Sequence, residues 1–273
     1  KIHGGLGNQL FQYAFVYTAA TKLGTTFYLD ENIDIFKAPK YFHIPVKTSS
    51  TLCRLLFQLK GAHRFLKEKR QRYFERLQHK NKLKTLVVNG NETPENQLLK
   101  IRDGHLFEGF FQSEEYFKEQ ADIIKAHFSL KPKYTEQFKK ASQHLNPTKN
   151  WVTIHVRRAD YLALNWQLPT DYYHKAIQQV AQPNNLYIFI TDDKEFVAQE
   201  FTDIEPKYIS SAHEIIDFQF LMNADINILS NSSFSWWGAY LNHKNALTIA
   251  PKLWLGKETV YPQAIHCKNW QLE

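Results

Sequence analysis

Leu10, Phe11, Ala14, Tyr17, Thr18 and Thr21 fall on one face of a helix, and Gly24 follows as a stop signal. The chain opens at Lys1-Ile2-His3-Gly4, which reads as the end of a strand expected to continue upstream, and residues 25–29 read as a second strand ending at Asp30. Strand, glycine turn, helix and strand make one βαβ unit. Between 35 and about 84, clusters such as Leu52, Leu55, Leu56 and Leu59, then Tyr73, Phe74 and Leu77, predict amphipathic helices. Residues 107–111 form a short apolar run, and Ser113 begins a helix through Tyr116, Phe117 and Ile123. The polar stretch 139–150, with Asn146-Pro147, reads as a domain boundary.

Beyond Trp151 the rhythm becomes regular. Apolar strands at 151–156, 186–191, 207–210, 226–229 and 246–250 alternate with helices near 171–182, 194–201 and 212–223 and one beginning at Ser233. Ser211 and Glu214 have the spacing of a capping box. Such alternation predicts a parallel sheet covered on both faces, with ligands beyond the carboxyl ends of its strands. The predicted domains are therefore 1–145, with a helical insertion at about 52–84, and 146–273, whose last helix is free to pack back on the first.

Composition narrows the class. With 43% hydrophobic and 22% charged residues in 273, the chain builds cores and is not a disordered protein. No apolar run approaches the ~18 residues of a membrane span. Two cysteines, Cys53 and Cys267, exclude a disulfide framework and a tetrahedral zinc site, and suit a reducing cytoplasm. The net charge of +7 is local: residues 54–84 carry eleven Lys or Arg against two Glu, so the remainder is slightly negative. That stretch fits either a solvated helix face or peripheral contact with an anionic membrane surface. It also admits a second class of reading, a polyanion- or nucleic-acid-binding module, which leaves the strand-end chemistry below without a purpose.

Polar clusters sit at the predicted strand ends. The first is His3-Gly4-Gly5-Leu6-Gly7-Asn8-Gln9, where glycines allow close backbone approach and a helix N-terminus favours an anion. Leu10 stands where a dinucleotide fingerprint needs its third glycine, which counts against a nicotinamide oxidoreductase. Asn8 and Gln9 offer carboxamides to sugar hydroxyls. The second cluster is His155-Val156-Arg157-Arg158-Ala159-Asp160. If the strand continues, Arg157 and Arg158 point to opposite sides, so one faces a ligand while the other pairs internally, with Asp160 as the obvious partner. A guanidinium forks onto phosphate oxygens. His155 shares the parity of Arg157. Thr191-Asp192-Asp193 ends another strand, and Ser230-Asn231-Ser232-Ser233-Phe234-Ser235 forms a serine-rich turn that reads as an anion nest or as simple N-capping. Asp217, in an otherwise apolar helix, either caps or accepts from a ligand base, where a carboxylate suits the paired N–H donors of guanine. No metal-ligand spacing occurs, so phosphate charge falls to arginine and backbone N–H groups.

Taken together, these segments resemble the bacterial α-1,2-fucosyltransferases of glycosyltransferase family 11. Residues 4–14, from Gly4-Gly5-Leu6-Gly7-Asn8-Gln9 to Tyr13-Ala14, resemble the family's opening motif. Residues 155–161 resemble its H-x-R-R-x-D-Y motif, and 230–238, Ser-Asn-Ser-Ser-Phe-Ser-Trp-Trp-Gly, its third. Gly109-Phe110-Phe111-Gln112-Ser113 and Pro251 with Trp254 fit the same order. Ala159 stands where the family usually has glycine.

The resemblance implies a GT-B-like α/β fold of two Rossmann-like domains with parallel sheets facing a central cleft. It implies inverting transfer of L-fucose from GDP-β-L-fucose to the 2-hydroxyl of a terminal β-galactose, in an oligosaccharide or lipid-linked glycan, with no metal, no other cofactor and no nucleic acid. Catalytic roles then fall to Arg157, Asn8 and Asp160, although Asp160 is better assigned to pairing an arginine than to acting as a base. Donor binding falls to Gly5, Gly7, His155, Arg157, Asp192, Asp217, Ser232, Ser233 and Phe234. Transfer to another linkage or acceptor is the alternative within the same chemistry.

Overall fold

Gly24 ends the first helix as expected. It adopts φ +63°, and the N–H groups of Gly24 and Thr25 return to the carbonyls of Thr21 and Ala20, the two bonds of a Schellman stop. The helix it ends, α1 (Leu6–Lys22), buries Leu10, Phe11, Tyr13, Ala14 and Phe15. The structure, a computed structural model, describes residues 2–27, 29, 36–45, 84–88, 90–255 and 261–273. Cys53, Asp30, and the basic stretch except Lys84, with the helices expected there, lie outside the described residues.

The chain forms two compact units, Lys1–Ser129 and Leu130–Glu273. The first contains α1, α2 (Ala38–Tyr41), β1 (Lys84–Val88), α3 (Pro94–Leu98), β2 (His105–Gly109) and α4 (Ala121–His127). Strands β1 and β2 pair in parallel, from Lys84 opposite His105 to Val88 opposite Gly109. The expected βαβ start is different: Ile2, His3, residues 25–27 and Leu29 are not in strands. Ser113 caps a turn of 3-10 helix (Glu114–Tyr116), its hydroxyl accepting from Glu115 N at 3.2 Å. Phe117, at φ −139° and ψ 6°, breaks the run, so the α-helix starts only at Ala121.

The units part at Ser129, not near residue 145. Helix α5 (Pro132–Ser142) belongs to the second unit because Tyr134 and Phe138 form a buried stripe on it. Phe138 meets Phe220 edge-on at 5.0 Å, and the Tyr134 carbonyl accepts from Gln219 Nε2 at 3.1 Å. Two aromatics four apart decide its placement, although lysines dominate the segment's composition.

In the second unit follow β3 (Asn150–Val156), α6 (Ala159–Leu164), α7 (Thr170–Gln179), β4 (Asn185–Thr191), α8 (Lys194–Glu200), β5 (Lys207–Ser210), α9 (Glu214–Asn223), β6 (Ile226–Ile228), α10 (Ser233–Tyr240), β7 (Leu247–Ala250) and β8 (Gln271–Leu272). All six strands are parallel, in the order β5-β4-β3-β6-β7-β8. This is the doubly wound order, and it reverses direction between β3 and β6. Val152, Ile154, Phe189, Val197, Phe201, Ile228 and Ile249 are buried in its core. Such side chains contribute about 1.5–3 kcal/mol each on burial.

Three local expectations fail here. Helix α9 is capped by His213, whose Nδ1 accepts from Ile215 N at 3.4 Å, and not by a Ser211–Glu214 box. Asp217 takes the preceding amide instead, accepting from Ala212 N at 3.4 Å. Helix α6 and strand β8 were not expected. The chain closes on β8, paired with β7, and among the described residues no helix follows α10. No described helix is long and apolar enough to cross a membrane.

Candidate functional site

Where the strand order reverses, two neighbouring tips share a hydrogen bond. His155, near the end of β3, lies 2.6 Å through Nδ1 from Ser230 Oγ, just beyond β6. The pairing Ile154 opposite Ile228 brings these tips level. Burial pushes the imidazole pKa down to about 3, and the nearby Arg157 charge adds to the effect. His155 is therefore neutral near pH 7. Its ring lies 5.6 Å from that of Phe234, which in turn packs edge-on against Phe218 at 5.2 Å.

Both arginines leave β3, but their partners differ from expectation. Arg157 holds two carboxylates, Asp160 Oδ1 through one terminal nitrogen and Asp192 Oδ2 through the other, each at 2.6 Å. Arg158 turns to Asp193 at 3.0 Å and lies 3.5 Å above the Phe196 ring. Arg158 is the less exposed of the two and its partner is Asp193, not Asp160. Asp160 belongs to the other arginine because α6 begins at once and sets residues 157 and 160 one turn apart. Asp192 was expected to contact a ligand. Instead its Oδ1 accepts from the Arg158 and Ala159 amides at 2.9 and 3.3 Å, while Oδ2 holds Arg157, so both oxygens serve the protein.

The serine turn is part cap and part scaffold. Ser232 Oγ accepts from Phe234 N at 3.3 Å, the N-cap of α10. Ser235 is fully buried and donates to the carbonyls of Ser230 and Ser232 at 3.1 and 3.0 Å. It cannot also meet a ligand. Ser233 remains half-buried in the first turn, where free N–H groups point outward. Tyr161 ties this turn to α6: its hydroxyl donates to the Asn231 carbonyl at 3.2 Å, and Arg157 lies 5.5 Å above its ring. Trp236 and Trp237 are fully buried core residues, as expected.

Asp217 opens α9 and is buried. Its Oδ1 accepts from Ser210 Oγ and the Ala212 amide. Burial raises its pKa, against the opposing pull of these donors. A buried carboxylate with donors gathered on one oxygen is suited to accept from a further N–H donor.

In the first unit, Gly5 is the N-cap of α1 and supplies no side-chain cap, so the amides of Leu6, Gly7 and Asn8 have no intrahelical partner. Asn8 Oδ1 accepts from Gln112 Nε2 at 2.7 Å. That bond leaves the Asn8 NH2 group as its donor. Gln9 cannot serve a ligand: it is fully buried, donates to Gly4 O at 2.9 Å and accepts from Lys37 N at 2.8 Å. Gln112, Ser230, Tyr161 and Asp193 carry the site's internal bonds. None of these pairings leaves a local sequence signal: Asp193 lies 35 positions from Arg158 and Ser230 lies 75 from His155.

Arg157 at the tip of β3 and the capped N-terminus of α10 beyond β6 flank the reversal, and both kinds of group favour an anion. Among the described residues no group of three or more His, Cys, Asp or Glu is placed to hold a metal ion.

The chain matches the family model of glycosyl transferase family 11 over residues 1–273. It is 28% identical to an α-1,2-colitosyltransferase of Escherichia coli, across 94% of this chain and 92% of the relative. It is 26% identical to the O-antigen biosynthesis glycosyltransferase WbnK of Escherichia coli, across 93% of each. In fold it is similar to NodZ α-1,6-fucosyltransferase soaked with GDP-fucose, at TM-score 0.51 and 15% identity over 87% of this chain and 89% of that one. A mutant of Arabidopsis thaliana FUT1 in complex with GDP gives TM-score 0.52 at 10% identity over 91% of this chain and 69% of that one. The fold is thus the GT-B-like α/β class expected from the sequence.

Proposed function

The chain belongs to glycosyltransferase family 11, and from that membership we propose that it moves L-fucose from GDP-β-L-fucose to the 2-hydroxyl of a terminal β-galactose, with inversion and without a metal. One observation carries the reading: the Arg157 guanidinium, fixed by Asp192, stands at the tip of β3 beside the N-terminus of α10.

Inversion requires the galactose hydroxyl to attack C1 of fucose on the face opposite the departing phosphate. The sugar takes on oxocarbenium character, and negative charge grows on GDP. Arg157, Ser233 and the first amides of α10 are preorganised donors for that charge, with Ser232 closing the cap and Phe234 walling the pocket. His155 stays neutral beside the base, and Asp217 accepts from guanine N–H groups. In the first unit, the amides at Gly7 and Asn8 and the Asn8 carboxamide are donors suited to sugar hydroxyls. Asp160 acts through Arg157 and is not the base. A loose transition state with a cationic sugar needs little help in removing the hydroxyl proton.

A colitosyl donor is the second reading, favoured by the colitosyltransferase relative. It keeps the same diphosphate grip and differs only in the sugar. Incubating GDP-fucose with a panel of β-galactosides, then determining the product linkage, tests the proposal. The α-1,2 product is expected. Turnover only with a colitosyl donor, or a product of another linkage, contradicts it.

A further inference from the structure

The charges around Arg157 do not suit a diphosphate as they stand. Two guanidinium groups meet three carboxylates, so the cluster carries one net negative charge. An incoming nucleoside diphosphate must therefore displace a carboxylate or bind against repulsion. The two partners of Arg157 are not equivalent. Asp192 is 22% exposed in its side chain and spends both oxygens on the protein, on two backbone amides and on the guanidinium. Asp160 is 59% exposed, sits on the first turn of the short helix α6, and reaches Arg157 through one oxygen. Exposed pairs one turn apart are weak, whereas a guanidinium–phosphate fork is strong.

We propose that Arg157 exchanges counter-ions when the donor binds: Asp192 is its permanent positioning partner, while Asp160 occupies the phosphate's place in the empty protein and yields it to the diphosphate. The exchange rests on the nucleotide reading above and adds residue roles to it. It also gives Asp160 a purpose that neither a general base nor a permanent ion pair supplies. The carboxylate keeps the guanidinium extended at the strand tip, and among the described residues it makes no other hydrogen bond or ion pair that would break as it swings into solvent.

Calorimetric titration with GDP, in the absence of acceptor, tests this on the wild type and on Asp160→Asn and Asp192→Asn. Both substitutions remove one negative charge from the same guanidinium, so electrostatics alone moves both affinities the same way. Exchange moves them in opposite directions. Asp160→Asn should bind GDP about 2- to 5-fold more tightly, the strength of a weak exposed pair. Asp192→Asn keeps an acceptor for the Arg158 and Ala159 amides and preserves the loop, yet should weaken GDP about tenfold or more by releasing Arg157. GMP, with one phosphate fewer, should show a smaller gain in Asp160→Asn, which a purely structural effect would not produce. Weaker or unchanged GDP binding in Asp160→Asn, or parallel shifts in both variants, overturns the exchange. Failure of the wild type to bind GDP overturns the nucleotide reading, and the exchange with it.

Discussion

At the scale of single residues, the site is a matter of who holds whom. The sequence marks Arg157 and His155 as unusual because charged and polar side chains end a buried strand. It does not disclose their partners: Ser230 lies 75 positions from His155 and Asp192 lies 35 from Arg157. Those pairings follow from register, which depends on the whole sheet. Replacing Arg157 by Ala should lower transfer by about 10²–10³-fold while circular dichroism stays that of the wild type. Near-normal turnover would remove Arg157 from the mechanism. His155 carries a pH dependence with a definite sign. Its folded pKa of about 3 is below the unfolded value of 6.5, so its stabilising effect is complete above pH 6.5 and is lost as pH falls toward 3. Between pH 7 and pH 4.5 that loss should be on the order of 2 kcal/mol in urea unfolding. The His155→Asn variant should lose correspondingly less over the same interval. Equal slopes would contradict the buried, neutral assignment.

At the scale of elements, the second unit is legible because each strand is a short apolar run closed by polar residues. Strands buried on both faces cannot alternate, so their uniformity is itself the signal. The first unit is less legible. Strand β1, Lys84–Val88, follows a basic segment and exposes Lys84, Thr85 and Val87 with Leu86 half-buried and Val88 buried, so neither alternation nor a continuous buried run announces it. Helix α5 was obscured by its lysines, and α6 is too short to show a period. One element contact is tested by a single methyl group. A Cβ on Gly238 in α10 would fall 2.5 Å from Leu221 Cβ and 2.7 Å from its Cδ1 on α9. Gly238→Ala should therefore destabilise the unit by about 1–3 kcal/mol despite alanine's higher helix propensity. Thermal unfolding with an unchanged or higher midpoint would show that α9 and α10 can separate at little cost.

At the scale of the whole molecule, the class of fold and the family follow from motifs spread over the chain, whereas the strand order does not. The order β5-β4-β3-β6-β7-β8 needs pairing information that no single segment carries. Once it is known, the reversal between β3 and β6 explains why His155, Arg157 and the serine turn converge. Phosphate charge in this account is met by a guanidinium and by helix amides, so transfer should continue at its full rate after dialysis against EDTA. A rate lost with the chelator and restored by a divalent cation would contradict it. The central claim is the location of the diphosphate, and a crystal structure with GDP tests it most directly. Phosphate oxygens are expected within hydrogen-bond reach of the Arg157 guanidinium and of the Ser233 amide at the start of α10, where the Phe234 amide is held by the Ser232 cap. A nucleotide bound away from the tips of β3 and β6 would contradict it.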